Sequence, residues 1–187
     1  ALACFNAALK AEPGYVPALS GCGVLFKGLK QAEEALKYFE MALAIDAKDA
    51  KIYYNLGLVL LDLNRPEDAL ANFDLALAIK HDFVDAINSR GVVLGQLKRV
   101  EESIGCFDVA LTINPGFAVA YNNRGIAYYK LNKFDEALTD YDKAIALNSS
   151  FASAYCNRGN LLGTMDRISE ALEDYDRAIA LKSDYAD

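Results

Sequence analysis

Apolar residues in this 187-residue chain recur at steps of three and four, then give way to short polar breaks. Such steps place them on one face of a helix, because an α-helix turns once in 3.6 residues. Between residues 118 and 151 the pattern reads twice. Tyr121, Gly125, Tyr128 and Leu131 predict a first helix, and Phe134, Ala137, Leu138, Tyr141, Ala144, Ile145 and Leu147 predict a second. Asp135, Glu136 and Asp142 fall on the polar side, where acids near the helix start also suit its positive end. The whole arrangement then returns at a fixed interval. Gly23, Gly57, Gly91, Gly125 and Gly159 are 34 residues apart, and Ala42, Ala76, Ala110, Ala144 and Ala178 keep the same step. So do Phe39, Phe73, Phe107, Tyr141 and Tyr175. The chain therefore divides into a leading half-unit at 1–15 and full units at 16–49, 50–83, 84–117, 118–151 and 152–185, within one domain over 1–187.

Punctuation agrees with these boundaries. Pro66 suits the first turn of a second helix, while Pro13 and Pro115 fall at the junctions between units, where a helix must stop. Turns within units carry polar or basic residues such as Asn64, Arg65, Lys98, Arg99 and Lys133. The recurring Gly and Ala are small enough for two helix backbones to approach closely.

A 34-residue period of paired helices is the signature of the tetratricopeptide repeat. The run AYNNRGIAYYKLNKFDEALTDYDKAIALNSS (120–150) resembles that family closely, and the resemblance extends over the chain. The first unit departs furthest, with Leu19 where an aromatic is expected and Cys22 where an aliphatic is. The resemblance implies an all-α, right-handed superhelical solenoid of tetratricopeptide (TPR) helix-turn-helix repeats, five full and one N-terminal half, whose first helices line a concave groove. It also implies protein or peptide partners without specifying the ligand, because function lives in sites grafted on a fold.

Charge narrows the partner class. The chain has 26 Asp and Glu against 19 Lys and Arg, a net charge of −7, which argues against nucleic acid or anionic lipid as the source of affinity. No stretch approaches the roughly 20 apolar residues of a membrane span, and no secretory signal pattern is present. Cys4, Cys22, Cys106 and Cys156 show no CxxC spacing and read as thiols, which favours a reducing, cytoplasmic setting.

Catalysis requires a nucleophile with a base, tuned carboxylates or a metal cluster. His81 is the one histidine and falls at a helix end, so a His-based metal set is excluded and a capping or solvated role is expected. The pairs Glu33–Glu34, Glu101–Glu102 and Asp135–Glu136 repeat with the unit and read as solvated helix faces. Gly21, Gly23 and Gly28 follow no strand, which rejects a dinucleotide loop. The expectation is a non-enzymatic protein with no catalytic residue, metal or cofactor.

With the family geometry, places two, five, six, nine, twelve and thirteen of each unit face the groove. The candidate binding residues are Tyr54, Asn55, Leu58, Asn88, Asn122, Asn123, Tyr129, Asn157 and Asn160. Val24, Lys27, Leu61 and Lys130 stand at further groove places. An Asn amide both donates and accepts, so it can pair with a peptide backbone of any sequence. The alternative is that these amides bond within the stack. Relatives that grip the C-terminal carboxylate of chaperones use clamp cations; the matching places here hold Asn88, Val92, Asn123, Ser153 and Asn157, so no strong binding of such a tail is expected. Arg90, Arg124 and Arg158 fill the seventh place in three successive units. They are expected to pack between helices and pair with Asp108, Asp140, Asp142, Asp174 and Asp176, with anion binding as the competing reading.

Three functions remain open on this basis. The first is a scaffold that binds a peptide segment or protein partner in the groove. The second is a substrate-recruiting TPR segment of a larger multidomain enzyme, such as a glycosyltransferase with asparagine-lined repeats. The third is a self-assembling scaffold, because the chain opens on a half-unit and stops at Tyr185–Asp187 without a terminal solvating helix.

Overall fold

The computed structural model describes residues 1–183; the end of the fifth expected unit and Tyr185–Asp187 lie outside the described residues. Its described residues form α-helices joined by short turns, so the fold class is the all-α helical-repeat solenoid expected from the periodicity. The chain divides into two compact units, Ala1–Gln96 and Leu97–Asp187.

The first unit contains α1 (Leu2–Ala11), α2 (Val16–Gly28), α3 (Ala32–Ile45), α4 (Ala50–Asp62), α5 (Pro66–Ile79) and α6 (Val84–Gln96). α2 packs chiefly on α3 and α4 on α5, with secondary contacts from α3 to α4 and from α5 to α6. The second unit contains α7 (Val100–Ile113), α8 (Ala118–Lys130), α9 (Phe134–Leu147), α10 (Ala152–Thr164) and α11 (Ile168–Ser183). There α8 pairs with α9 and α10 with α11 in the same way.

The glycine and aromatic registers meet in the core. A methyl group built on Gly23, Gly57, Gly125 or Gly159 would lie 2.6–2.9 Å from the ring of Phe39, Phe73, Tyr141 or Tyr175 respectively. Carbon atoms prefer 3.5–4.0 Å, so each ring occupies the space a side chain on the first helix would need. Phe39, Phe73, Phe107 and Tyr141 are buried, as are Ala42, Ala76, Ala110, Ala144 and Ala178.

Each first helix ends on a left-handed residue: Lys30, Asn64, Lys98, Asn132 and Asp166 have φ of 57–62°. These positions also keep the 34-residue step. In the first unit Lys30 N–H donates to the Lys27 carbonyl and Gln31 N–H to the Phe26 carbonyl, which satisfies carbonyls that the helix leaves open. Glycine is the usual residue there, and its absence leaves the left-handed conformation of these turns unmarked in the sequence. The next helix starts without a side-chain cap at Gln31, Arg65, Arg99 and Lys133. Acids in its first turn meet the positive helix end instead, and Arg65–Asp68 and Arg99–Glu102 pair across three residues.

Candidate partner-binding surface

The expected groove residues separate by their place in the unit. The fifth place points into the stack: Asn88 and Asn122 are 9% and 5% exposed. Tyr54, at the same place, packs its ring 5.9 Å from Phe73 and 4.9 Å from Phe83, within the cluster of Ala50, Ala76 and Ala86. Burial raises the pKa of its phenol, against the lowering influence of the Ser89 side chain. A residue one place from the groove line on a helix turns by 100°, enough to move it from the surface to the helix interface.

In the first unit the structure gathers Val24, Ile52 and Asn55 around a cleft of about 440 Å³ that Ser20, Lys51 and Asp49 also line. Val24 is 51% exposed. Asn55, which lines the cleft, donates Nδ2 to the Lys51 carbonyl at 3.0 Å. Ser20 Oγ is buried with no hydrogen-bond partner. Ser20 stands at place five, which turns into the stack as at Asn88 and Asn122, while the exposed Lys51 stands at place two. Leu58 lies half-buried further along α4. Burial lowers the pKa of Lys27 on α2, against the raising influence of Asp62.

In the second unit Asn122, Asn123 and Asn157 come together. Asn157 Nδ2 donates to Asn122 Oδ1 at 2.8 Å, linking α10 to α8, and Asn122 Nδ2 lies 3.5 Å from Asn123 Oδ1. Asn160 is exposed but accepts a 2.9 Å bond from the Tyr175 hydroxyl on α11. Tyr129 stacks at a tilt on Phe134 and shares a 3.0 Å hydrogen bond with Thr164. The amides and hydroxyls of this unit thus hold its helices to one another.

The arginines have the same role. Arg124 forks onto Asp140 through Nε at 2.8 Å and Nη2 at 2.7 Å, while Nη1 reaches Asp108 at 2.6 Å. Its guanidinium lies 5.5 Å from the Tyr121 ring and 5.8 Å from Tyr128. Arg158 repeats this with Asp174, Asp142 and Tyr155. The Asp140 and Asp174 side chains are 4% and 6% exposed. Hydrogen bonds to these carboxylates raise both arginine pKa values, so the charges are permanent. Arg90 donates to Asp74 at 2.6 Å. The arginine ladder is a set of inter-helix clasps, as its register with the aspartates implied; Asp176 is not among the carboxylates these bonds use.

Among the described residues, no group of three or more His, Cys, Asp or Glu could hold a metal, and no helix is long and apolar enough to cross a membrane. Cys22 is buried, which raises its thiol pKa.

The tetratricopeptide repeat family model matches residues 50–83, 118–151 and 152–185, more than half of the chain. The chain belongs to the tetratricopeptide repeat family. TPR proteins of known structure share its fold. A thermophilic one from Thermus thermophilus is 24% identical, with a TM-score of 0.77 over 91% of this chain and 97% of its own. YrrB, described as a TPR protein with an unusual peptide-binding site, is 23% identical, with a TM-score of 0.73 over 100% of this chain and 96% of its own. A MamA fragment from Desulfovibrio magneticus is 20% identical, with a TM-score of 0.78 over 90% and 96%. At these identities the likeness carries the TPR fold alone. No curated protein matches the chain. As a TPR protein, the chain is in general terms a protein-interaction scaffold.

Proposed function

We propose that this TPR chain is a non-enzymatic scaffold that takes a peptide segment of a partner along its first helices, with the principal contact in the first compact unit. The observation that carries the reading is the 440 Å³ cleft between α2 and α4, where exposed Val24 and the buried Ile52 meet the polar side chains of Asn55 and Lys51. Apolar walls with a few convergent polar groups are the usual composition of a ligand site. Asn55 supplies an amide to the ligand backbone and Lys51 a cation at the rim. In the second unit the half-exposed Asn123 stands at the same place in its repeat as Asn55 and is the corresponding amide there.

Selection of random peptides against the chain tests this. Recovery of a shared motif whose binding falls at least tenfold in Val24→Glu and Asn55→Ala supports the cleft. A motif that binds both variants as well as the wild type sinks it.

A second reading, self-association, is favoured by α11, where Leu172 and Ile179 are 58% and 66% exposed. A molar mass that stays monomeric as concentration rises refutes it.

A further inference from the structure

The first unit contains a second cleft, of about 600 Å³, on the side of the repeat formed by the second helices. It lies between α1 and α3, with Leu9 and Met41 as walls, Leu19 of α2 beneath, and Tyr38 held by stacking on Phe26 at 5.3 Å. Met41 is 50% exposed. Lys10 and Lys37 line it and no carboxylate does. Among the described residues neither lysine is in an ion pair.

Three departures from the repeat meet at this cleft. The place of Leu19 holds Tyr53, Tyr121 and Tyr155 in three later repeats and Ile87 in the fourth, so an aliphatic residue stands where most repeats have a ring. Tyr53 packs on the buried cluster of Ala50, Ala76 and Ala86 in its own repeat. The place of Lys10 holds Ala44, Ala78, Thr112 and Ala146, and that of Lys37 holds Ala71, Gly105, Thr139 and Glu173. Two cations therefore face one cleft only in this repeat, in a chain with a net charge of −7.

We propose that this cleft docks an acidic segment of a protein partner, bulky apolar side chains packing between Leu9 and Met41 and adjacent carboxylates meeting Lys10 and Lys37. The volume is within the roughly 300–1,000 Å³ of ligand sites and admits more than one apolar side chain. Paired lysines beside an apolar wall select a ligand of opposite charge and set its register.

The test is fluorescence anisotropy with labelled Gly-Ser-Glu-Leu-Phe-Glu-Ser-Gly and its lysine-flanked counterpart Gly-Ser-Lys-Leu-Phe-Lys-Ser-Gly. The wild type binds the glutamate peptide at least tenfold more tightly. Leu19→Tyr, which restores the ring of the later repeats, weakens that binding tenfold or more. The surface variant Lys10→Glu/Lys37→Glu, which leaves the core untouched, reverses the preference. Val24→Glu, in the other cleft, leaves it unchanged, which separates this site from the one proposed above. Equal binding of the two peptides, no binding of either, or full affinity in Leu19→Tyr overturns the proposal. Formation of a dimer lost in Lys10→Glu/Lys37→Glu, without peptide binding, gives the cleft to a second copy and also overturns it.

Discussion

Replacing Gly125 by Ala tests the contact on which each repeat is built. The new Cβ would sit 2.6 Å from Cε1 and 2.9 Å from Cδ1 of Tyr141. Normal carbon contact begins near 3.5 Å, so the ring must retreat by about 1 Å. It has little room, being 2% exposed and packed with Ala137 and Leu161. Overpacking of this kind costs about 1–3 kcal/mol, while the better helix propensity of Ala returns roughly 1 kcal/mol. The expected net loss is about 1 kcal/mol. Gly105 provides the control in the same unit. It lies exposed within α7 with nothing within 4 Å of its added methyl, so Gly105→Ala should stabilise by about 0.5–1 kcal/mol. Urea unfolding of both variants reads the difference as opposite shifts of midpoint. Tyr141→Leu in the Gly125→Ala background completes a cycle, and the Ala should then cost less than it does beside the ring. Equal stabilisation by both Ala substitutions, with no coupling to Tyr141, would refute the close-packed glycine and ring.

Other consequences follow from the clasps and turns. Asp140→Ala leaves the Arg124 guanidinium without its forked partner and should cost about 3 kcal/mol in chemical unfolding, whereas Asp108→Ala, at an exposed carboxylate, should cost no more than about 1 kcal/mol. Asn157→Leu strands the buried Asn122 Oδ1 and should cost about 1–3 kcal/mol by the same measurement. Lys30→Gly removes a left-handed backbone penalty of about 1–2 kcal/mol and adds glycine entropy of about 0.5–1 kcal/mol, so a stabilisation of roughly 0.5 kcal/mol is expected in thermal melts.

The repeat was readable because its two sides recur together. A glycine every 34 residues says little alone, but an aromatic at the same step sixteen residues later supplies the ring that excludes a side chain from Gly23, Gly57, Gly125 and Gly159. Arg124 and Arg158 were readable for the same reason, since Asp140 and Asp174 also lie sixteen residues on and complete the pair. The left-handed conformation within the turn was not, because Lys30 and Lys98 adopt φ near 60° without the glycine that advertises it. The binding surface was legible only in part. Asn88 and Asn123 share a residue type and differ by one place in the unit, yet the first is buried and the second half-exposed. Residue chemistry alone does not separate them, because a rotation of 100° about the helix decides which one faces solvent and which meets a neighbouring helix. Lys10 and Lys37 were visible as letters, but only the packing of α1 beside α3 shows that they line one cleft.

The most direct measurement of peptide binding along the first helices is backbone amide NMR of the chain titrated with the peptide recovered by selection. The largest shift changes should fall on α2 and α4, at Val24, Ile52 and Asn55 and their neighbours, and Val24→Glu should abolish them. Changes confined to the second helices α3 and α5, with α2 and α4 silent, would contradict the proposed groove.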